Sequence, residues 1–480
     1  MDRPIALRDT LTGERVPLDP PAAAGTVRLY YCGPTVYGDL HIGNFRTLAT
    51  FDVLRRALAR FGYRVQAAMN ITDIDDKMIR RAAEEGVATS EVARRYEARF
   101  LEDQAAMGIA PPDRMPRATE YIEAMVEDIA HLVERGAAYA APDGSVYFRA
   151  RAYPGYGALS GQNLDAIRVG ARVEPEAGKE DDLDFALWKA HRPGEPAWPS
   201  PWGPGRPGWH IECTTMAARV LGRPLDIHGG GSDLVFPHHE NERAQAEALD
   251  PDPFARRWVH AGLLLMDGVK ASKSLGNVGP LRELRRRYDP MAVRLFFLTA
   301  HYAHPLSWSE EAMDAARAAL VRVREVATRA RAHLRAIAGR AGSEAVDLAL
   351  DAQVRRAVQA FDDALRDDLN APAANAVLFD LGRTINQAVG EPELGSEALA
   401  RALGTYVDLW GVLGVDVGGE TAVDEDRVRR VEALVSARQA ARMRRDWAEA
   451  DRLRAELEAM GVVIEDTREG ARWRWQTERV

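Results

Sequence analysis

Residues 41–44, with the sequence His-Ile-Gly-Asn, stand where a long helix is predicted to begin. The first turn of a helix exposes unpaired N–H groups at the positive end of its dipole, and such an end binds phosphate well. His41 and Asn44 are three residues apart and therefore face the same way on that turn. The tetrapeptide is a candidate phosphate site, and a solvated helix cap is the alternative interpretation.

A second basic segment, Lys-Ala-Ser-Lys-Ser at residues 270–274, follows a predicted strand. The chain has five lysines among 63 lysines and arginines, yet Lys270 and Lys273 stand only three residues apart. A compact ammonium group is not interchangeable with a guanidinium, and positioned cations stabilise the charge that develops when pyrophosphate is displaced. The segment is therefore a candidate triphosphate loop, with a solvated basic turn as the alternative.

Four side chains form a candidate metal site. The only two cysteines, Cys32 and Cys213, lie far apart and are too few for a secreted disulfide framework. His238 and Glu242 are one turn apart on a predicted helix, so both can reach one ion. Two thiolates, an imidazole and a carboxylate are suitable ligands for zinc. Two inert buried thiols and an ordinary surface His–Glu pair remain the alternatives.

The hydrophobic pattern predicts two sets of alternating strands and helices. Strands over residues 27–31 and 64–71 flank a helix over 41–60. A second set has a strand over 224–228 that runs into a glycine-rich turn at 229–231, a helix over 238–249 and a strand over 258–266. This alternation predicts an α/β fold with a doubly wound parallel sheet.

The rest of the chain is predicted to form an inserted domain, a helical bundle and a small last module. A helix over 121–135 and a strand over 146–148 indicate the insert. From Ser309 onward apolar residues recur at helical spacing, which is typical of a bundle. The predicted domain limits are 1–120, 121–205, 206–290, 291–415 and 416–480.

Composition narrows the class of protein. Hydrophobic residues make up 46% of the 480 residues, and no apolar run approaches the roughly 20 residues that a membrane helix needs. The N-terminus lacks the pattern of a cleaved signal peptide, so a cytoplasmic location without membrane contact is expected. A net charge of −9 makes nucleic-acid binding less expected but does not exclude a local basic patch.

Several longer segments together resemble bacterial cysteinyl-tRNA synthetases. The resemblance begins with Cys-Gly-Pro-Thr-Val-Tyr at residues 32–37, which leads into 41–44, and it spans essentially the whole chain. Its other segments are Asn-Ile-Thr-Asp-Ile-Asp-Asp-Lys at 70–77, Asp-Phe-Ala-Leu-Trp-Lys at 184–189, Gly-Trp-His-Ile-Glu-Cys at 208–213, Phe-Pro-His-His-Glu-Asn-Glu at 236–242, the loop at 270–274, Asp-Asp-Leu-Asn-Ala-Pro at 367–372 and Glu-Asp-Thr at 465–467.

The resemblance implies a fold and a role for each predicted domain. It implies a class I Rossmann-like catalytic domain in two halves, 1–120 and 206–290, with the loop at 270–274 in the second half. It further assigns 121–205 to a connecting insert that handles the tRNA acceptor end, 291–415 to a stem-contact region and helical bundle, and 416–480 to an anticodon-binding module. A monomer is the implied state.

The resemblance also assigns the ATP site, where ATP is a substrate that enters with Mg²⁺. His41, Gly43 and Asn44 would bind the phosphates, and Lys273, helped by Lys270, would stabilise the transition state. Two departures occur: Asn44 replaces the family's common second histidine and Ala271 replaces its usual methionine. Because Asn44 keeps a hydrogen-bond donor and position 271 is a backbone spacer, we expect an altered rate rather than lost function.

In the family, a zinc ion binds the thiolate of the substrate cysteine. The implied ligands are Cys32, Cys213, His238 and Glu242. Zinc favours a thiolate over the poorly acidic serine hydroxyl, so it can supply a discrimination that a small pocket cannot. Family positions that line the cysteine pocket correspond to Gly33, Thr72 and Trp209. His228 and His239 resemble supporting histidines, with ordinary core histidines as the alternative.

The implied reaction has two steps. The carboxylate of L-cysteine attacks the α-phosphate of ATP. The terminal ribose of tRNA(Cys) then takes the cysteinyl group, through its 2′-hydroxyl as is typical of class I.

In the last module a set of arginines and tryptophans could bind anticodon phosphates and bases, or the arginines could instead form ion pairs along solvated helices. This set is Arg427, Arg429, Arg430, Arg438, Arg442, Arg444, Arg445, Trp447, Trp473 and Trp475.

Three other functions stay open at this stage. A related ligase could activate cysteine and pass it to an amino sugar, but such relatives lack the C-terminal RNA-binding portion. A zinc hydrolase could use His238 and Glu242, although the sequence places no base beside an open water site. A non-catalytic RNA-binding paralogue is disfavoured because both candidate ATP segments are present.

Overall fold

The computed structural model describes residues 4–19, 25–162, 178–266, 268–271, 278–418, 422–460, 462–467 and 470–475. The chain divides into two compact units, Met1–Val417 and Gly418–Val480. The five predicted domain limits are finer than this division and stay a prediction. Among the described residues, none of the helices combines the length and the apolar character that crossing a membrane requires.

The larger unit contains thirteen described strands and twelve described α-helices. The strands are β1 (Ala6–Arg8), β2 (Arg15–Pro17), β3 (Thr26–Tyr31), β4 (Arg64–Met69), β5 (Ala138–Ala140), β6 (Val146–Phe148), β7 (Phe185–Ala190), β8 (Gly205–Pro207), β9 (Ile227–Gly231), β10 (Trp258–Ala261), β11 (Leu264–Met266), β12 (Val269–Lys270) and β13 (Leu306–Trp308). The helices are α1 (Ile42–Arg60), α2 (Asp76–Glu85), α3 (Thr89–Ala106), α4 (Ile122–Glu134), α5 (Trp209–Leu221), α6 (Glu240–Leu249), α7 (Leu281–Leu284), α8 (Pro290–Phe297), α9 (Glu310–Ala336), α10 (Glu344–Arg366), α11 (Ala371–Ala388) and α12 (Ser396–Val412).

A four-stranded parallel sheet, in the order β10–β9–β3–β4, positions the candidate site. In its register Leu29 lies opposite both Ile227 and Ala67. Helix α1 connects β3 to β4, and the apolar face predicted for it is buried. The buried positions are Phe45, Leu48, Val53, Leu54, Ala57 and Leu58. Because the carboxyl ends of parallel strands share one edge, Cys32 after β3 and Asn70 after β4 lie at the edge where such sheets bind ligands.

The prediction of a strand over 224–228 and a glycine turn at 229–231 gives the wrong position for this strand. Strand β9 instead includes the glycines, and all five of its residues are buried. A Cβ at Gly229 would lie 2.2 Å from the carbonyl oxygen of Val259 and 2.5 Å from the ring of Phe51. Glycine fits this strand because β10 and α1 approach its backbone too closely for a side chain.

Two further predicted elements differ from the structure. The strand predicted over 258–266 is two strands, β10 and β11, which belong to different sheets. The chain turns between them at Gly262, where a Cβ would lie 2.3 Å from the carbonyl oxygen of His304. The helix predicted from residue 238 is a regular α-helix only from Glu240, since Val235–His239 forms a wider turn.

The insert between the two halves of the sheet contains a second, antiparallel sheet in the order β5–β6–β7–β8. Helix α4 and this sheet share a core that includes Ile129, Phe148, Leu187 and Trp188. Strand β8 ends at Pro207, directly before α5. This connection places the first turn of α5 between the insert and the parallel sheet.

Helices α9 to α12 form the predicted bundle, and the expected apolar positions of α9 are buried. These positions are Met313, Ala316, Leu320, Val323 and Val326. A three-stranded sheet in the order β12–β11–β13 precedes α9 in the chain. Helix α11 begins after Asn370, whose side chain accepts a hydrogen bond from the N–H of Ala373 at 3.1 Å.

We expect Asn370→Ala to lower the thermal unfolding midpoint by a few degrees. Removing a side-chain cap typically costs about 1 kcal/mol, because one N–H of the first helical turn loses its partner. Asp367→Asn is the matched control, since its ion pair with Arg15 is largely exposed and contributes little. Thermal scans followed by circular dichroism should therefore separate the two variants, and equal midpoints would contradict the capping role.

The smaller unit consists of α13 (Ala422–Met443), α14 (Trp447–Ala459), β14 (Val462–Thr467) and β15 (Gly470–Trp475). Strands β14 and β15 form an antiparallel hairpin. The core of this unit contains Val431, Val435, Leu457 and Val462.

Candidate active site

A cavity of about 400 Å³ opens at the carboxyl edge of the parallel sheet. Its walls come from the segment after β3, the start of α1, the segment after β9 and the turn between β10 and β11. All four described candidate phosphate-binding residues line it: His41, Gly43, Asn44 and Lys270. Cys32, Gly33 and Trp209 line the same cavity.

The four candidate metal ligands come together beside this cavity, and Cys32 is the one of them that lines it. One donor atom from each of Cys32, Cys213, His238 and Glu242 lies within 4.8 Å of the others, and all four residues are buried. The Sγ atoms of Cys32 and Cys213 are 3.6 Å apart. His238 Nε2 lies 2.8 Å from Glu242 Oε1. Two sulfurs, one imidazole and one carboxylate in one buried cluster match the ligand chemistry of zinc.

A second, overlapping donor set replaces Cys213 and His238 with His228 and His239. His228 Nε2 lies 2.7 Å from Glu242 Oε2, and its Nδ1 lies 3.1 Å from the carbonyl oxygen of Tyr30. His239 Nδ1 lies 2.7 Å from His260 Nε2. Because only one sulfur remains, this set suits zinc less well than the first, and its histidines are better placed to orient the ligands.

Two histidines that the sequence did not single out complete the surroundings of the cluster. His210 Nδ1 lies 2.8 Å from His238 Nδ1, so it can fix the orientation of that ring. His260 connects His239 to the hydroxyl of Thr10, which lies 2.7 Å from His260 Nδ1. His210 belongs to the segment that carries Cys213, and this adjacency was the only signal for it in the sequence.

The cluster is electron-rich despite its burial. Burial opposes the charged form of Glu242, but His238 and His228 hold the pKa of its carboxyl well below the usual range. Burial likewise opposes a protonated His238, yet the charge of Glu242 raises its pKa to about 10. For Cys213, the hydrogen bond with Cys32 and the charge of His238 outweigh burial and lower the pKa to about 7. An ionised carboxylate and an acidic thiol are forms that bind a metal ion. A protonated His238 must lose its proton to do so, and burial raises the pKa of the Cys32 thiol, so metal binding here would release protons.

The start of α1 is both a helix cap and a wall of the cavity. His41 Nδ1 accepts a hydrogen bond from the N–H of Gly43 at 3.1 Å, and Asn44 Oδ1 accepts one from the N–H of His41 at 3.2 Å. This reciprocal arrangement is a capping box. The two interpretations of this tetrapeptide are therefore compatible, because capping fixes both side chains at the edge of the cavity.

Lys270 lies at the end of β12, where its Nζ is 2.8 Å from Asp233 Oδ2. Asp233 lines the cavity as well. Lys273, the other lysine of the predicted loop, lies outside the described residues. Ala271 is buried, and its N–H donates to the carbonyl oxygen of Leu264 at 2.8 Å. Its side chain packs in the core and lines the cavity, so the prediction that position 271 is only a backbone spacer stays a prediction.

The three predicted cysteine-pocket residues occupy different places. Gly33 lies so close to the backbone just after β4 that a Cβ at this position would be 1.8 Å from the carbonyl oxygen of Asn70. Trp209 is 40% exposed, and its ring stacks on that of His238 with centroids 4.1 Å apart. Thr72 is buried and its hydroxyl donates to Glu212 at 2.9 Å, so it supports the site from outside the lining of the cavity.

Arg46 is a buried residue that the sequence analysis missed. Its guanidinium donates to the carbonyl oxygens of Gly262 and Leu263, each at 2.7 Å, and to that of His304. It therefore ties α1 to the turn between β10 and β11, which lines the cavity. The partners lie more than 200 residues away in the chain, and periodicity within a helix contains no signal for them.

Comparison with known proteins identifies the family. The model of the family described as tRNA synthetases class I (C) catalytic domain matches residues 19–318. The cysteine–tRNA ligase of Symbiobacterium thermophilum is 46% identical over 96% of this chain and 96% of its own length. The chain belongs to the cysteine–tRNA ligase family. The ligase of Thioalkalivibrio sulfidiphilus is 47% identical over 95% of this chain and 96% of its own length.

Other matches agree with membership of the cysteine–tRNA ligase family. A DALR domain matches residues 360–417, and a cysteinyl-tRNA ligase anticodon binding domain matches 424–474. The fold is similar to that of a Mycobacterium tuberculosis methionyl-tRNA synthetase in complex with methionyl-adenylate, with a TM-score of 0.61, 17% identity and coverage of 81% of this chain and 90% of that chain. The predicted class I fold and the predicted family are confirmed.

In the segment that matches the anticodon binding domain, the predicted arginines differ in their surroundings. Arg438 is buried, which contradicts a direct role in binding phosphates. Arg430 lies 3.5 Å from Glu456, as expected for a helix with ion pairs. Trp447 is 59% exposed. The side chains of Arg427, Arg429, Trp473 and Trp475 lie outside the described part of the structure.

Proposed function

We propose that this member of the cysteine–tRNA ligase family activates L-cysteine with ATP and Mg²⁺ and transfers it to tRNA(Cys). The observation that carries the proposal is that Cys32 of the buried donor cluster and the start of α1 line one cavity. A site for a thiol and a site for a triphosphate are the two parts that cysteine activation requires. Since little covalent work falls to the protein, positioning and electrostatics account for the rate.

In this proposal the phosphates of ATP lie at the start of α1. His41, Gly43 and Asn44 bind them through ring, backbone and amide groups at the positive end of the helix. Lys270, and with it Lys273, neutralises the charge that develops as the cysteine carboxylate displaces pyrophosphate. Lys270 would exchange its ion pair with Asp233 for the triphosphate.

Zinc is the metal that we propose for the cluster of Cys32, Cys213, His238 and Glu242. When bound, it supplies a position that prefers the substrate thiolate over the serine hydroxyl. His228, His239 and His210 orient the ligands. Gly33 and Trp209 shape the space beside the cluster, and Thr72 supports Glu212 behind it.

In the second step a ribose hydroxyl oxygen attacks the carbonyl carbon of cysteinyl-adenylate, and AMP departs with its phosphate oxygen.

We propose that residues 121–205 bind the acceptor end of the tRNA, 291–415 its stem and 416–480 its anticodon. A monomer in the cytoplasm is part of the same proposal. The amino-sugar alternative is not favoured, because the chain matches an anticodon binding domain.

The direct experiment is ATP-dependent transfer of labelled cysteine to total tRNA by the purified protein, with labelled serine in parallel. We expect alkali-labile label on tRNA with cysteine and none with serine. Cysteine-dependent pyrophosphate exchange without any transfer would instead support a small-molecule acceptor. Transfer of serine at a similar rate would contradict the proposal that the metal selects the substrate by its thiolate.

A further inference from the structure

Arg46 is a buried cation whose hydrogen bonds go to the main chain instead of to a carboxylate. The residue is 2% exposed. Burial lowers the pKa of its guanidinium to about 10, and among the described residues no carboxylate offsets this shift. The group is therefore charged at neutral pH, although taking a cation out of water costs free energy. A buried apolar side chain would avoid this cost, so the guanidinium must serve a purpose that an apolar side chain cannot.

The hydrogen-bond acceptors of Arg46 belong to two separate segments. Its Nη1 donates to the carbonyl oxygens of Gly262 and Leu263, each at 2.7 Å, in the turn between β10 and β11. Its Nη2 donates to the carbonyl oxygens of His301, at 3.4 Å, and His304, which precede β13. One planar group thus holds both segments against helix α1.

The turn that Arg46 holds leads directly to the strand pair that carries Lys270. Strand β11 begins at Leu264 and pairs with β12, where Leu265 lies opposite Lys270. On its other side β11 pairs with β13, and Leu264 lies opposite Leu306. The position of Lys270 relative to α1 is therefore set through a short path: Arg46, the turn, β11 and β12.

Both ends of this path line the candidate active site. His41 and Asn44, at the start of α1, line the cavity, and so does Lys270. Arg46 follows Asn44 by two residues in the same helix but is not among the described residues that line the cavity. It is thus placed to fix the distance between the helix start and the ammonium group without contacting a substrate.

We propose that Arg46 is a positioning residue for the activation of cysteine, which holds Lys270 at the distance from the start of α1 that the triphosphate requires. The inference rests on the proposed function and adds to it a residue that contacts neither substrate. A lysine at this position cannot do the same, because one compact ammonium group does not span the carbonyl oxygens of two segments as a planar guanidinium does.

The test measures pyrophosphate exchange by Arg46→Lys in the zinc-loaded full chain. ATP can still bind to the start of α1, so the loss should fall on the charge that Lys270 stabilises in the transition state. We expect kcat to fall about 10- to 100-fold, as for a group misplaced by about 1 Å, while KM for cysteine changes less than about threefold.

Arg294→Lys is the matched control. Arg294 is also buried, and its guanidinium donates to the carbonyl oxygens of Leu413 at 2.7 Å and Met107 at 3.2 Å. Neither of these acceptors belongs to the described lining of the cavity. This variant should lower the thermal unfolding midpoint but leave kcat within a few-fold of the wild-type value. A similar loss of kcat in both variants would overturn the specific role of Arg46.

A double-mutant cycle with Lys270→Ala decides whether Arg46 acts through Lys270. The effects of independent substitutions multiply, whereas effects exerted through one shared group do not. We therefore expect Arg46→Lys to lower kcat by no more than roughly threefold when Lys270 is already alanine. Losses that multiply in full would overturn the proposal, by showing that Arg46 only stabilises the fold. Wild-type kcat in Arg46→Lys would overturn it as well.

Arg46→Gln is the second variant, for use where Arg46→Lys does not fold. Its amide still donates hydrogen bonds to carbonyl oxygens and buries no charge. The same cycle with Lys270→Ala then applies, with the same two outcomes. Absence of cysteine-dependent exchange in the wild type would refute the proposed function itself. Normal exchange in the wild type, with losses that multiply, would refute only the role of Arg46.

Discussion

Cys213→Ser should lose its metal and most of its affinity for cysteine while keeping its fold. The hydroxyl of serine is close in size to the thiol but does not ionise near neutral pH, so one ligand of the cluster is removed. Because loss of a residue that merely orients a ligand already costs about 10–100-fold, we expect kcat/KM for cysteine to fall by more than that. Metal analysis and cysteine-dependent pyrophosphate exchange measure the two effects.

Met216→Leu is the matched control for this experiment. Met216 is buried in the same helix, three residues beyond Cys213. A swap between hydrophobic residues of similar volume usually costs less than about 1.5 kcal/mol and leaves the donor cluster untouched. A Cys213→Ser protein with full metal content and unchanged dependence on cysteine would refute the ligand assignment.

The second large effect is expected for His41→Asn, which separates capping from catalysis. Asparagine is among the best helix caps, so its side chain can replace the hydrogen bond from the N–H of Gly43. Unlike the imidazole, whose Nε2 remains available when Nδ1 caps the helix, the shorter amide that caps the helix does not extend to the phosphates of ATP in the proposed site. We therefore expect kcat for pyrophosphate exchange to fall about 100-fold or more, as for loss of one donor to a developing charge, with the thermal midpoint almost unchanged.

His41→Ala provides the comparison, since it removes both roles. It should lose the same activity and, in addition, about 1 kcal/mol of stability through the missing cap. Exchange by His41→Asn within a few-fold of the wild type would show that His41 acts as a cap alone. The binding of ATP would then depend on Asn44 and the backbone of α1.

Local patterns predicted the elements that bury one apolar face. The buried positions of α1 and α9 recur at helical spacing, and such periodicity is visible without any tertiary information. The glycines of β9 were misassigned for the opposite reason. Glycine is common in turns, but here Gly229 is fixed by the close approach of Phe51 and Val259, which only the folded chain reveals.

The candidate site shows the same division between local and long-range signals. Cys32 and Cys213 are 181 residues apart, and spacing alone could not bring them into one cluster. The resemblance to cysteinyl-tRNA synthetases named all four donors, because it compares ordered motifs rather than distances. It did not name Arg46, which acts by donating hydrogen bonds to the carbonyl oxygens of a turn that is distant in the sequence.

Cobalt(II) in place of the native metal gives the most direct test of the central claim, that a metal held by Cys32, Cys213, His238 and Glu242 binds the thiolate of the substrate. Absorption from sulfur-to-cobalt charge transfer reports the number of thiolates on the metal. Addition of cysteine to the cobalt-loaded protein should increase this absorption as a third thiolate binds, and serine should leave it unchanged. A spectrum that saturating cysteine does not alter, although cysteine still supports pyrophosphate exchange, would contradict the account.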